Sequence, residues 1–235
     1  QALDPRASLV GFLDDDPVLE VGALQAMLAF WDGAPPKVGG AGFAVHPQAP
    51  RQGLRIKRFF GLDGAEDGRL LRSGYNTPLR PQAQVYDAQW LAGGASVWRR
   101  EVVETFCFDE WFSGYSYLED VDYSLRVSRR YRLNVVPESR VWHQSSSMGL
   151  RQHFLFGLWQ ITNRGYLARK HPEFSIGWCL WSLMGQSILN ATMGIARWGI
   201  GGFLRTMGNL VGWLQLPRIV SGTSGVLQRR TDLKQ

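Results

Sequence analysis

Two hydrophobic periods alternate along the first half of the chain. Leu9, Val10, Phe12 and Leu13 make an apolar run of strand length that stops at three aspartates, Asp14, Asp15 and Asp16. This predicts a buried strand delivering acids to the end of a sheet, where open α/β folds bind their ligands. From Pro17 to Trp31, the residues Val18, Leu19, Val21, Leu24, Met27, Leu28 and Trp31 recur at helical spacing, and Asp32 with Gly33 closes the segment. That pattern predicts a helix with one buried face. Lys37 to Val45 reads as a short strand, and the Pro-, Gln-, Gly- and Arg-rich sequence up to about Pro81 reads as a long loop region.

Apolar and aromatic positions return from Ala83 to Arg99, around Trp90 and the pair Gly93-Gly94. The stretch from Phe106 to His143 predicts a loop, a helix opening at Glu119 or Asp120, and a strand from Leu133 to Val136. The tail differs. Ser175 to Ala196 holds no charged residue over 22 positions, the length needed to cross a bilayer core, but Gly, Ser, Asn, Gln and Thr dilute it. Arg197 and Arg205 then interrupt a second apolar stretch carrying Trp198, Phe203 and Trp213. Tryptophans with sparse arginines suit helices lying in the headgroup region, so the expectation is membrane association rather than a true span. The expected organisation is an α/β catalytic domain over 1–150 and a helical, membrane-associated region over 151–235.

Composition narrows the partners. The 235 residues carry a net charge of +6 and are 45% hydrophobic and 20% charged. This is an ordinary globular balance that favours an anionic partner. Cys107 and Cys179 stand far apart in apolar contexts, which fits a reducing compartment and gives neither a disulfide framework nor a zinc pattern. The arginines are scattered rather than gathered beside a recognisable module, so no nucleic-acid partner is expected. No GxxxxGK[ST] loop is present for phosphoryl transfer.

The candidate chemistry lies in the acids. If the chain stays extended, Asp14 and Asp16 share a face while Asp15 points away, and two carboxylates suit a hard divalent cation whose shell substrate phosphates complete. An acidic turn capping the next helix would need one aspartate, and three adjacent acids repel one another without a cation. Glu119, Asp120 and Asp122 cluster at a helix start. Any one of them could complement the helix dipole, but a carboxylate held at a cleft can also act as a general base. Trp90 suits either a flat apolar platform for a ligand or ordinary packing. Arg126 is expected to pair with Asp122, four residues earlier.

Five segments carry a family resemblance: FLDDD at 12–16, QWLAGGASVWRR at 89–100, FDEWFSGYSYLEDVDYSLR at 108–126, VVPESRVWH at 135–143 and NRGYLARKH at 163–171. In this order and spacing the chain resembles the family 2 glycosyltransferases, which have the GT-A fold, a Rossmann-like mixed sheet flanked by helices. The resemblance implies that Asp14 and Asp16 contact Mn²⁺ or Mg²⁺, that Asp15 lies near the nucleotide ribose, and that Asp120 is the catalytic base. It also implies that Glu119, Trp90, Gly93 and Gly94 line the substrate site. In members resembling the rhamnosyl- and galactofuranosyl-transferases a histidine after the later strand completes the metal shell, and His143 stands at that position. Family members form the base and ribose pocket upstream of the aspartates, so the resemblance further implies an N-terminally truncated chain without its first nucleotide-binding strands.

The function so implied is inverting transfer of a sugar from a nucleotide-diphosphate donor to a hydroxyl of a cell-surface polysaccharide or glycolipid, at the cytoplasmic face of the cell membrane. A non-catalytic, membrane-associated scaffold built on the same fold is the alternative.

Overall fold

The computed structural model describes residues 4, 6–46, 54–112, 116–143 and 148–222. In chain order the elements begin with strand β1 (Leu9–Leu13), β2 (Pro17–Leu19), helix α1 (Ala23–Gly33), β3 (Val38–His46) and α2 (Leu54–Phe59). They continue with β4 (Tyr86–Ala88), β5 (Ala95–Arg99), α3 (Arg100–Thr105), α4 (Glu119–Ser128) and β6 (Arg132–His143). The helices α5 (Leu150–Lys170), α6 (Ile176–Leu189), α7 (Ile195–Trp198) and α8 (Ile200–Ser221) follow.

The strands form one mixed sheet in the order β1-β5-β3-β6-β2, with β4 also on β6. β3 and β6 run parallel, and every other pairing is antiparallel. β6 is longer than the expected Leu133 to Val136 because it serves two neighbours on one side, β4 along its first half and β2 along its second. Between those halves the register against β3 jumps, Phe43 facing Val136 and Ala44 facing Arg140. Pro137 falls in the jump, where a residue with no N–H leaves the ladder at little cost.

Two local expectations are corrected. The acidic run does not follow a buried strand. β1 sits at the sheet edge with β5 as its partner, Val10 is buried and Leu13 is 49% exposed. The helix expected from Pro17 starts only at Ala23, after Gly22 at φ 87°, because residues 17–19 pair with β6 as β2. Val18, Val21, Leu24 and Leu28 are consequently exposed, and the buried face of α1 is Ala23, Met27 and Trp31 at four-residue spacing. The short helix α2 lies within what reads as loop.

One side of the sheet packs under α1 through Met27, Trp31, Phe43, Val97 and Val141, and another cluster joins Leu91, Trp98, Val102, Tyr123 and Val135. A third core cluster links the α4 region to the C-terminal helices, with Phe112, Leu118 and Val121 against Ile161, Leu183 and Leu216. α5 and α8 pack closely where glycine removes a side chain. A Cβ at Gly157 would strike the Arg205 carbonyl, and one at Gly208 the Phe154 carbonyl. Buried amides tie the helices together: Asn190 donates to Gln160 and to Asn209 at 2.7 Å each, and Asn209 donates to the Gly157 carbonyl at 2.7 Å. Among the described residues no helix is long and apolar enough to cross a membrane.

Candidate active site

The chain leaves β1 at one edge of the sheet and reaches β2 at the other, so Asp14, Asp15 and Asp16 cross the end of the sheet. They occupy a bend rather than a strand, which means that strand alternation does not set their directions, and all three are exposed. Asp14 is fixed by the approach to β5. Its amide donates to the Gly94 carbonyl at 3.1 Å, and its carboxylate lies directly over Gly94, where any Cβ would collide with it. That contact explains a glycine at 94 without invoking its backbone freedom.

Asp120 comes to the same glycines from the other side. It opens α4, its Oδ1 accepts from its neighbour Val121 at 2.8 Å, and its Oδ2 accepts from the Gly93 amide at 3.4 Å. Burial pushes the Asp120 carboxyl up to about 6, against the opposing pull of the Val121 and Gly93 amides and the positive charge of Arg164. Glu119 is also raised, first by burial and then by the negative charges of Asp120 and Asp14, while a hydrogen bond to Ser116 opposes the rise. Three carboxylates from two distant segments therefore share one electrostatic neighbourhood around Gly93-Gly94.

Asp122 belongs elsewhere. It is fully buried and turned away into an ion cluster, accepting from His171 Nε2 at 2.7 Å, Lys170 Nζ at 2.7 Å and Arg126 Nε at 2.9 Å. The Arg126 pairing is the one its spacing predicts. His171 Nδ1 faces Arg129 Nη2 at 3.0 Å. Arginine can only donate, so the His171 proton sits on Nε2 and points at Asp122. Burial alone would raise the Asp122 carboxyl, but the His171 and Lys170 hydrogen bonds and the charges of Lys170 and Arg126 hold it below the usual carboxylate range.

Sequence reasoning did not anticipate how α5 supports the loop before Asp120. Ser116 (φ 55°) and Leu118 (φ 75°) both sit in the left-handed region, which costs about 1–2 kcal/mol for an L-residue. Tyr117 between them is clamped twice: Asn163 donates to its carbonyl at 2.9 Å, and Arg164 Nη2 to its hydroxyl at 3.1 Å. Arg164 is 2% exposed, stacks at 4.0 Å on Tyr75, and donates to Asn76 Oδ1 and the Gly74 carbonyl. Its Nε has no partner among the described residues. At the loop's other end, Tyr166 and Lys170 of α5 hold Asp109 at 2.8 and 2.6 Å. The signal was present in NRGYLARKH, whose Asn163, Arg164, Tyr166, Lys170 and His171 all turn toward the loop or α4.

The remaining expected residues fall as follows. Trp90 is partly buried, donates Nε1 to the Thr77 carbonyl at 2.9 Å and packs against two core clusters. Asp15 is exposed. His143 is placed by its backbone, which pairs with Pro17, one residue from Asp16. Its side chain lies outside the described part of the structure. Among the described residues no three His, Cys, Asp or Glu side chains gather as a metal cage. The donor set still fits a hard cation in part: exposed oxygen ligands repelling one another, with room for non-protein oxygens.

No protein-family model matches the chain, and no curated protein matches it in sequence. Among solved structures, it is similar to the crystal structure of GalNAc-T7 with UDP, GalNAc and Mn²⁺, at 17% identity and a TM-score of 0.43. The similarity covers 82% of this chain and 42% of that one, so the chain spans less than half the length of that protein.

Proposed function

We propose that this protein is a GT-A-type glycosyltransferase of the family 2 kind, moving a sugar from a nucleotide-diphosphate donor to an acceptor hydroxyl with inversion. The observation that carries the reading is the convergence of Asp14 and Asp120, remote in sequence, on the two sides of Gly93-Gly94. Asp120 acts as general base. With its carboxyl pushed up to about 6 it is ionised at neutral pH, yet basic enough to take the proton of an attacking hydroxyl. Asp14 and Asp16, with His143 opposite Pro17, would hold Mn²⁺ or Mg²⁺. Such a cation, once bound, neutralises the diphosphate leaving group. Gly93 and Gly94 leave a floor without side chains between base and cation ligands, and Glu119 borders it. A base on the side of the sugar opposite the leaving group favours a single displacement, which inverts the anomeric carbon. The acceptor in this reading is a polysaccharide or lipid-linked glycan of the cell surface.

A donor screen tests the proposal. The full-length protein, with uridine-, guanosine- and thymidine-diphosphate sugars and Mn²⁺, should release nucleoside diphosphate from one of them, and Asp120→Asn should remove that turnover while the far-UV spectrum stays unchanged. Turnover that persists in Asp120→Asn would overturn the assignment of the base. Absence of turnover with every donor would favour the scaffold reading.

A further inference from the structure

The sequence from Phe174 to Gly222 contains no aspartate or glutamate and three arginines. Apolar side chains that a water-soluble helical cap would hide are exposed in it. Leu180 (39%), Met184 (39%) and Ile188 (43%) recur every four residues on α6, and Trp178 (49%) is exposed at the start of the helix on the side that faces α2. The opposite side of α6 is the packed one, through Cys179, Ser182, Leu183 and Gly185. α2 adjoins the start of this stripe. Phe59, 64% exposed, meets Trp181 at 5.3 Å between ring centroids, and Trp181 Nε1 donates to the Phe59 carbonyl at 2.9 Å. Phe59, Trp178 and Trp181 line an open hollow of about 550 Å³. Around Phe59, α2 presents Arg55, Lys57 and Arg58 to solvent, with no acid in the helix.

We infer that α2 and the outer side of α6 form a docking surface for an anionic lipid bilayer, with Phe59 and Trp178 entering the headgroup boundary and Arg55, Lys57 and Arg58 facing lipid phosphates. Charge complementarity selects this occupant. Cations rimming exposed aromatics, without neighbouring acids on either helix, fit a surface that is negative outside and apolar within. An acidic protein would not call for a four-residue apolar stripe, and a second copy of this chain would bring cation against cation. No spanning helix is required. The surface does not depend on the transfer reaction, so its failure would leave the proposed function standing.

Flotation of the full chain with phosphatidylcholine vesicles, with and without phosphatidylglycerol, tests the inference. Binding should require phosphatidylglycerol and weaken with salt. Lys57→Glu, and separately the double variant Phe59→Ser with Trp178→Ser, should each weaken it by roughly tenfold. These side chains are exposed, so far-UV circular dichroism should not change. Three results would each overturn the inference: no flotation with either vesicle, flotation unchanged in both variants, or a dimer of the chain in solution that the double variant disperses.

Discussion

The raised Asp120 carboxyl turns a proposal about catalysis into a measurement of stability. Its folded-state value of about 6 lies some two units above the ordinary 3.8, and each unit corresponds to about 1.4 kcal/mol, so the ionised carboxylate costs the fold about 3 kcal/mol when fully formed. The sign follows from the direction. Below about pH 3 both states hold the proton and the cost is absent. As pH rises the unfolded chain ionises first, and above about pH 7 the full cost is present. Asp120→Asn removes the charge but keeps an oxygen for only one of the two amides, Val121 or Gly93, and turns an NH₂ donor toward the other, a loss that does not vary with pH. The stability of the variant relative to the native protein should therefore rise by about 2 kcal/mol between roughly pH 4 and pH 7. Urea unfolding of both proteins at a series of pH values reads this directly, and donor turnover should fall by about 10²–10⁴ in the same variant. A stability difference that stays flat with pH, or that narrows toward neutrality, would show that the carboxyl is not desolvated in the fold, and the case for a tuned base would go with it.

Other perturbations separate the site from its supports. Gly94→Ala puts a methyl group where the Asp14 carboxylate lies, and that exposed carboxylate must swing aside; Mn²⁺ titration and donor turnover should both weaken, while urea unfolding should shift by no more than about 0.5 kcal/mol. Asp122→Asn strands His171, Lys170 and Arg126 beside a neutral group, and chemical denaturation should register a loss of about 3–5 kcal/mol. Because the Asp122 carboxyl is held low, the native protein keeps that contribution at neutral pH and loses it on acidification below the usual carboxylate range. Arg164→Gln removes the cation that opposes the rise of Asp120 and loosens Tyr117; the rise of turnover with pH should move to higher pH, a shift that a purely structural role would not produce.

How much of this was legible in the chain differs from residue to residue. The start of α4 at Glu119 and the strand around Phe43 read directly, since acids at a helix opening and a short apolar run between turn residues are local signals. The stretch after the aspartates misled, because Val18, Leu19 and Val21 fit a helical face as well as a strand. Only the pairing of residues 17–19 with Val141, Trp142 and His143, more than a hundred residues later, decides for the strand. α2 was hidden for a related reason: six residues flanked by loop-like sequence carry too little periodicity to stand out.

The sequence alone determined which chemical groups this protein has: the acids at 14–16 and 119–122, the glycine pair at 93–94, and a stretch from Phe174 to Gly222 without acids. The surroundings of each acid were decided by the tertiary structure. Asp120 and Asp122 are two residues apart and chemically identical, yet one meets the Gly93 amide with its carboxyl raised and the other is sealed among His171, Lys170 and Arg126 with its carboxyl lowered. Desolvation and Coulomb forces act through space, and the distances that set them exist only once segments distant along the chain have packed together.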